Sequence, residues 1–308
     1  MENGRRIYIV GETTFDIIFR DDQPREARVG GSQLNTCVSL GRLGIPVTFI
    51  TMFGNDQVGD IAWRFLKENN ISNEYVTRYE GNSRVALAFL DQNNNAHYTF
   101  FKPEVEKSLK FPEPTQEDIV LFGSSFALKD EGRDELLCFL EQSAKNGAII
   151  LYDPNFRKTN AGNLNQIRSR VEQNIRYADL VKGSDEDFTN LYGESSVKHA
   201  WELLSEIKTV PLVYTAGSKG VWVRACAFEK NYQVPPIQPV STIGAGDTFT
   251  AGMIYLLYKT GIRKNEINAL KEVKWDQIIH TSTEFAQHVC MHYDNYLSEA
   301  FAEQQQSV

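Results

Sequence analysis

A short glycine-rich segment late in the chain carries residue types that could handle a transferred phosphate. It reads Gly244-Ala245-Gly246-Asp247 and lies where a loop enters a stretch of helical apolar spacing. Glycines let backbone amides approach an anion closely, and a helix N-terminus adds partial positive charge. Asp247, in the first turn, could accept the proton of an attacking hydroxyl. Taken alone, it could equally be an acidic residue that stabilises the start of a helix.

Polar residues near the N-terminus have the types that a sugar site requires. A sugar presents hydroxyl groups, so its pocket needs short acceptors and amides. Asp16 and Asn35 could supply these groups, while Gly30 and Gly31 would let the backbone come close. Asp16 could also be a turn residue and Asn35 a helix-surface amide, and both alternatives stay open.

Three further side chains could touch ligands. Arg157 offers a planar fork for a transferring phosphate or an acidic sugar group, or it could form a surface ion pair. Lys182 follows a predicted strand and could reach phosphates or be solvated. Phe100 could face a sugar ring or pack between strands.

The elements that must position these residues follow an α/β pattern. Short apolar strands alternate with amphipathic helices, which is typical of a mostly parallel sheet with helices on both faces. The predicted strands are Arg6–Val10, Val47–Thr51, Asp118–Leu121, Ala148–Tyr152, Leu180–Val181 and Pro211–Tyr214. The predicted helices are Gln33–Leu43, Val58–Asn69, Glu131–Lys145, Leu164–Tyr177 and Lys198–Ile207.

Two segments break this rhythm. Residues 15–28 and 84–102 alternate as antiparallel strands, with an Asn-rich turn at residues 93–95. Short connections could not join them to a parallel sheet, so we predict a small β-strand lid beside the main body. Without a repeat or a long linker, residues 1–308 are predicted to form a single domain.

Composition and missing motifs narrow the chemistry. Lys and Arg total 32 against 40 Asp and Glu, a formal net charge of −8, which argues against a nucleic-acid partner. The sequence contains no GxxxxGK[ST], which excludes a P-loop. It also lacks GxGxxG after the first strand, GxSxG and HExxH. His288 and His292 share a helix face, but without a third ligand nearby we predict surface histidines rather than a zinc site.

The N-terminal region and the cysteines favour a cytoplasmic protein without a membrane partner. The apolar stretch Ile7–Val10 is far too short for a signal-peptide core or a membrane span. The four cysteines are scattered and are predicted to be buried, reduced thiols. They are Cys37, Cys138, Cys226 and Cys290.

Two segments together resemble the paired signatures of the PfkB/ribokinase family of carbohydrate kinases, in its fructokinase-like branch. Val29–Thr36 resembles the family's GG-x-x-x-N sugar-binding segment, and Gly244–Asp247 resembles its GAGD segment. Further segments match in the family's order, so the resemblance covers residues 7 to about 297. They are Gly11 with Asp16, Gly54–Asp60, Asp153–Arg157 (DPN-x-R), Ala178–Asp187 and Thr215–Gly220.

The resemblance implies a ribokinase-like fold and ATP-dependent phosphorylation of a small sugar, fructose or a related keto-sugar. It implies an anion hole at Gly244, Ala245 and Gly246, with Asp247 as the general base. It implies Mg²⁺ near Asp187, and exposed lids in the family often pair, which leaves a homodimer through the lid open. The implied substrate-binding residues are Asp16, Gly30, Gly31, Asn35, Phe100 and Arg157. The implied nucleotide-binding residues are Lys182, Ser184, Thr215, Gly217 and Gly220.

The sequence departs from the family pattern at three places. Asp187 stands where the family has a glutamate, and its shorter side chain favours a water-mediated hold on Mg²⁺. Ser241 replaces an aspartate that helps many members bind a monovalent cation, which argues against activation by K⁺. Gln33 lies in a Ser-Gln-Leu segment where typical fructokinases have Ala-Pro-Ala, so a fructose-specific pocket cannot be carried over.

Two other functions remain as alternatives. One is a nucleoside kinase on the same fold. The other is a non-catalytic regulator that binds a sugar or nucleotide, which the changes at Asp187 and Ser241 motivate. The intact GAGD segment counts against the regulator, since a pure binder would not need it.

Overall fold

A computed structural model describes residues 4–90, 96–103, 108–157, 163–194, 196–225 and 228–306. The strands are β1 Ile7–Val10, β2 Thr14–Arg20, β3 Gln23–Gly30, β4 Val47–Gly54, β5 Ile71–Ser72, β6 Val76–Tyr79, β7 Val85–Leu90, β8 Ala96–Phe101, β9 Ile119–Gly123, β10 Ile149–Asp153, β11 Leu180–Ser184, β12 Leu212–Thr215, β13 Val221–Ala225 and β14 Phe228–Tyr232. The helices are α1 Ser32–Arg42, α2 Gln57–Glu68, α3 Arg133–Asn146, α4 Leu164–Tyr177, α5 Asp185–Tyr192, α6 Val197–Ile207, α7 Ala245–Lys259, α8 Lys264–Ile267, α9 Glu272–Cys290 and α10 Glu299–Gln306.

The main sheet confirms the predicted α/β architecture. Its order is β14-β13-β12-β11-β10-β9-β1-β4-β5, with β6 also pairing with β4. The pairs from β12 to β5 are parallel, and β13 and β14 add an antiparallel edge. In β1, Ile7 and Ile9 belong to one buried cluster and Tyr8 and Val10 to another, so helices cover both faces of the sheet.

A second sheet of four strands stands apart, in the order β3-β2-β7-β8. The predicted antiparallel pairing is confirmed for β2 with β3 and for β7 with β8, while β2 and β7 pair in parallel. Asp21 and Asp22 connect β2 to β3 with φ of 52° and 57°, the left-handed values of a tight hairpin turn. The turn predicted at residues 93–95 lies outside the described residues.

The register of the small sheet places four residues in one row. Asp16 on β2 lies opposite Arg28 on β3 and Ala86 on β7, and Ala86 lies opposite Phe100 on β8. Residues paired in this way point to the same face of a sheet. The sheet therefore presents a carboxylate, a guanidinium and an aromatic ring on one side.

Two of the sequence predictions need correction or qualification. Cys37 and Cys290 are buried and unpaired as predicted, but Cys138 on α3 is exposed, because its position falls on the outer face of that helix. Cys226 lies outside the described residues. His288 is only half-buried and stacks on Phe301, and the described part of the chain has no cluster of acidic, histidine or cysteine side chains that could hold a metal.

Within the described residues, no helix combines the length and apolarity that crossing a bilayer requires. The cytoplasmic location stays a prediction from the sequence.

Candidate active site

The start of α7 is fixed by close backbone packing. Gly244 has φ 81°, and a Cβ atom there would lie 2.2 Å from the carbonyl oxygen of Asn295. Only glycine combines that φ with so close a neighbour. Gly246 is exposed in the first turn, so its side of the helix end is open to a ligand. The predicted loop-to-helix entry at this segment is confirmed.

Asp247 lies 8% exposed in that first turn, among side chains from two other parts of the chain. Its Oδ1 atom accepts hydrogen bonds from Ser32 Oγ at 2.7 Å and Asn155 Nδ2 at 3.0 Å. Its Oδ2 atom accepts one from Asn35 Nδ2 at 2.8 Å. A carboxylate oxygen can accept two hydrogen bonds, so Oδ2 keeps room for a further donor such as a hydroxyl.

Burial raises the pKa of Asp247, while the hydrogen bonds from Asn35 and Ser32 and the charges of Lys182 and Arg157 oppose that rise. The donors also fix the orientation of the carboxylate. A buried, oriented carboxylate with one open acceptor position has the properties of a general base.

Ser32 and Asn155 were not among the predicted site residues. Asn155 follows β10 with φ 38°, a left-handed conformation that asparagine tolerates, and its amide reaches both Ser32 and Asp247. Asn155 belongs to the DPN-x-R segment, which matched the family pattern but pointed to no contact with Asp247. Thr36 also contributes, by donating to the backbone oxygen of Asp247 at 2.9 Å.

Beneath the helix end lies a buried ion pair. Lys182 Nζ is 3.0 Å from Asp153 Oδ2, and both side chains are nearly inaccessible to solvent. Thr250 on α7 donates to the same oxygen at 3.1 Å. A Cβ atom on Gly246 would lie 3.3 Å from Lys182 Nζ, so the ammonium group stands directly against the first turn of α7.

The cluster around Lys182 carries an excess of negative charge. Burial lowers the pKa of Lys182, but the charges of Asp153, Asp187 and Asp247 outweigh it, so the net shift is upward. Burial raises the pKa of Asp153 to about 6, although Lys182 opposes the rise. Asp153 and Asp247 therefore hold their protons more tightly than isolated carboxyl groups would.

The small sheet supplies the face opposite α7. Asp16 is half-buried and accepts a hydrogen bond from Thr14 Oγ1 at 2.8 Å. A Cβ atom on Gly30 would lie 2.3 Å from Asp16 Oδ2, so the glycine admits the carboxylate against the backbone. Burial raises the pKa of Asp16, and hydrogen bonding from Thr14 and the charge of Arg28 oppose that rise.

Phe100 shares its face of the small sheet with Tyr98, which was not predicted. The two rings stack with centroids 5.6 Å apart, and both are partly exposed. Burial raises the pKa of Tyr98, and the negative charge of Asp16 adds to the rise. The aromatic pair therefore lies on the Asp16 side of the sheet, where it could cover a sugar ring.

The predicted nucleotide-binding residues cluster at the carboxyl ends of β11 and β12. Ser184 and Thr215 lie opposite each other in the parallel register. Gly217 and Gly220 follow with φ of 53° and 129° and shape the turn into β13. Ligands of open α/β sheets bind at this edge. Lys182 is the exception, because its side chain is turned inward to Asp153.

Asp187 and Arg157 have structural partners. Ser184 and Asp187 form a capping box at the start of α5, and the carboxylate of Asp187 also accepts from the Phe156 amide at 2.6 Å. Its oxygens are thus already engaged, which favours the indirect hold on Mg²⁺ over direct coordination. Arg157 forms an exposed ion pair with Glu186 at 2.9 Å, and its charge also lowers the pKa of Asp247, so its role in substrate binding stays a prediction.

A mostly parallel α/β sheet, a small separate sheet that carries Asp16 and a glycine-rich helix start that carries Asp247 together define a ribokinase-like fold. Residues 5–271 match the profile of the pfkB family carbohydrate kinases, and the chain belongs to that family. It is accordingly an ATP-dependent carbohydrate kinase.

Similar proteins have modest identity and high structural agreement. Fructokinase of Vibrio alginolyticus is 22% identical over 278 residues, 88% of this chain and 90% of the relative. A double mutant of fructokinase from Vibrio cholerae O395, bound to fructose, ADP and potassium ion, has a TM-score of 0.84 at 19% identity, covering 98% of each chain. Aminoimidazole riboside kinase from Salmonella enterica, complexed with aminoimidazole riboside and an ATP analogue, has a TM-score of 0.82 at 19% identity over 98% of each chain.

Proposed function

We propose that this enzyme transfers the γ-phosphoryl group of ATP to a hydroxyl of fructose or a related keto-sugar, with Asp247 as the general base. One observation carries the proposal: the buried carboxylate of Asp247, oriented by Ser32, Asn35 and Asn155, keeps one acceptor position at Oδ2. Similarity to fructokinases favours this class of sugar.

In this mechanism the sugar lies between α7 and the small sheet, which acts as a lid. Asp16, Asn35 and the backbone at Gly30 and Gly31 hold its hydroxyls. The reacting hydroxyl donates its proton to Asp247 Oδ2 as its oxygen attacks the phosphorus. Amides at Gly244 and Gly246 face the charge on the transferring group, whereas the Ala245 amide donates to the carbonyl oxygen of Thr242 at 3.3 Å. Closure of the lid excludes water.

The nucleotide would extend along Ser184, Thr215, Gly217 and Gly220. A divalent ion such as Mg²⁺ fits this region, because the carboxylates around Lys182 leave an excess of negative charge. Bound with ATP, the ion neutralises phosphate charge, and Asp187 would hold it through water. The side chain of Lys182 pairs with Asp153, and its ammonium group would place a positive charge next to the first turn of α7.

The acid limb of the pH profile of kcat/KM is expected to have a pKa above the ordinary range of carboxyl groups. Burial raises the pKa of Asp247, and a protonated carboxyl cannot accept the proton, so activity falls as the pH falls through that value. Lys182 lowers this pKa, so removing the ammonium group should move the limb to higher pH. The pH profile of the Asp153→Asn/Lys182→Met double variant is compared with that of Asp153→Asn alone, because the charge of Asp153 also acts on Asp247 and both variants lack it.

The control for this profile is Lys198→Met, because Lys198 forms an exposed ion pair with Glu202 on α6. Its acid limb should match that of the wild type. Equal acid limbs in the double variant and in Asp153→Asn would remove Lys182 from the electrostatics of the base.

A turnover assay tests the reaction itself. ADP release should depend on a sugar from a panel that includes fructose and 2-keto-3-deoxygluconate. Turnover should also be the same with and without K⁺, because Ser241 offers no carboxylate. Binding heat without turnover for every sugar would favour the non-catalytic regulator and contradict the proposal.

A nucleoside kinase is the second candidate, and the similarity to aminoimidazole riboside kinase favours it. Ribosides such as adenosine should then replace fructose as the better acceptor. Competition between the two in the same assay separates these activities.

The exposed aromatic residues on the outer face of the small sheet favour a homodimer through the lid. Phe89 and Phe101 are 37% and 57% exposed there. Light scattering of the wild type and of Phe101→Ser tests whether this face pairs two copies.

A further inference from the structure

A pocket outside the predicted site lies at the carboxyl ends of β1 and β4. Its lining includes Glu12, Thr51, Arg84, Phe126 and Lys129; these residues are called the cationic pocket below. Glu12 forms ion pairs with both Arg84 and Lys129, and it accepts a hydrogen bond from Ser125 Oγ at 2.8 Å. Two cations thus share one sheltered carboxylate.

Among the residues that the structure describes, the charges of the cationic pocket do not balance within the buried part. Glu131 is 3.9 Å from Arg84, but its side chain is 57% exposed, so solvent weakens the pairing. Burial lowers the pKa of Arg84 and lowers that of Lys129 to about 8, while the charge of Glu131 opposes both shifts. Burial lowers the pKa of Lys102, and the charge of Arg84 lowers it further, so Lys102 lies near the same cluster. An arginine and a lysine together carry about eight N–H donors, more than these partners can accept.

The register of the small sheet joins the cationic pocket to the sugar face. Thr14 lies opposite Gly30, two residues before Asp16, and Arg84 lies two residues before Ala86. The amide of Phe15 also donates to the carbonyl oxygen of Arg84 at 2.9 Å. Two residues along a strand span roughly 7 Å. Arg84 therefore belongs to the row next to the one that contains Asp16.

A second contact ties the pocket to the base. A Cβ atom on Gly31 would lie 2.4 Å from the carbonyl oxygen of Glu12, and the next residue, Ser32, donates to Asp247. A short substrate with its reacting hydroxyl at Asp247 and its middle at Asp16 would place its far end in the cationic pocket.

We propose that the cationic pocket binds an anionic oxygen group, a carboxylate or a phosphate, at the end of the acceptor sugar that is remote from the reacting hydroxyl. This inference rests on the proposed function and narrows its substrate class. Desolvated Arg84 and Lys129 gain an acceptor that their described neighbours lack, whereas a neutral sugar leaves the surplus charge of these residues in place.

Steady-state kinetics with three probes test the proposal: fructose, 2-keto-3-deoxygluconate and fructose 6-phosphate. At least one anionic probe should exceed fructose in kcat/KM, and the two anions distinguish a carboxylate site from a phosphate site. Lys129→Met should lower kcat/KM for the preferred anion by about tenfold and leave fructose within about twofold. Lys129→Arg should retain the preference.

Lys198→Met is the matched control, because Lys198 is a 78% exposed lysine on α6. A wild type that prefers fructose, or a Lys129→Met effect equal on all three probes, overturns the proposal. Calorimetry of the three probes with Asp247→Asn separates the failures. If Asp247→Asn binds an anionic probe tightly but the wild type does not turn it over, the anion-binding role of the pocket stands and the proposed kinase reaction is contradicted. If neither binding nor turnover favours an anion, the anion-binding role itself is overturned.

Discussion

Asp247→Asn is expected to lower kcat by about 10³-fold while sugar and ATP binding stay nearly intact, because loss of a general base typically costs 10²–10⁴-fold. Asparagine keeps the volume of aspartate but cannot take up the proton of the hydroxyl. Steady-state kinetics give the change in kcat, and calorimetry gives the affinities. The new amide would face Asn35 Nδ2 or the donors on the other oxygen, so a small loss of stability should accompany the change.

The matched control is Asp134→Asn. Asp134 also stands in the first turn of a helix, α3, but it is exposed. Both variants lose one negative charge near a helix N-terminus, so both lose a similar favourable interaction with the helix dipole. If Asp247→Asn retained wild-type kcat, or if Asp134→Asn lost as much, Asp247 would be an acidic helix start and not the base.

Gly244→Ala is expected to lower kcat by at least about 10²-fold, the loss that follows removal of one donor from an oxyanion-type site. A Cβ atom at this position would meet the carbonyl oxygen of Asn295 at 2.2 Å, and the φ of 81° disfavours any side chain. The start of α7 must therefore shift, and the amides and Asp247 shift with it. Kinetics measure the loss, and urea unfolding measures the cost in stability.

Gly261→Ala provides the comparison at the other end of the same helix. Gly261 has φ 67°, but a Cβ atom there would meet nothing within 4 Å. Its free energy of unfolding should fall by about 1–2 kcal/mol from the left-handed conformation alone, with kcat close to wild type. Equal kcat in the two glycine variants would contradict a catalytic role for the backbone at Gly244.

The parts of the site that depend on local pattern could be predicted from the sequence. The entry of Gly244–Asp247 into α7 follows from glycines before a helical apolar period, and the predicted strands and helices of the main body agree with the structure within a few residues. The alternation in residues 15–28 and 84–102 identified the strands of the small sheet. In each case the residue pattern that predicts a helix or strand lies within one helical turn or one strand of that element.

Contacts between distant segments could not be predicted in this way. Nothing in the neighbourhood of Ser32 or Asn155 indicates that both would donate to Asp247, and Lys182 follows a strand whether it turns inward or outward. The edge strands β13 and β14 were missed, since the strands are short and partly exposed. For Asp187 the local signal existed, because Ser-x-x-Asp before an apolar residue is itself a capping pattern.

The three donors to Asp247 also determine when the enzyme can become active during its own synthesis. Their separations from Asp247 along the chain are 215, 212 and 92 residues. Contacts between such distant positions form only after large loops close, which makes them late and slow events in folding. A growing polypeptide can complete its first strands and helices without assembling the base. With Asp247 as the proposed base, phosphoryl transfer therefore requires that segments from Ser32 to Asp247 have folded together.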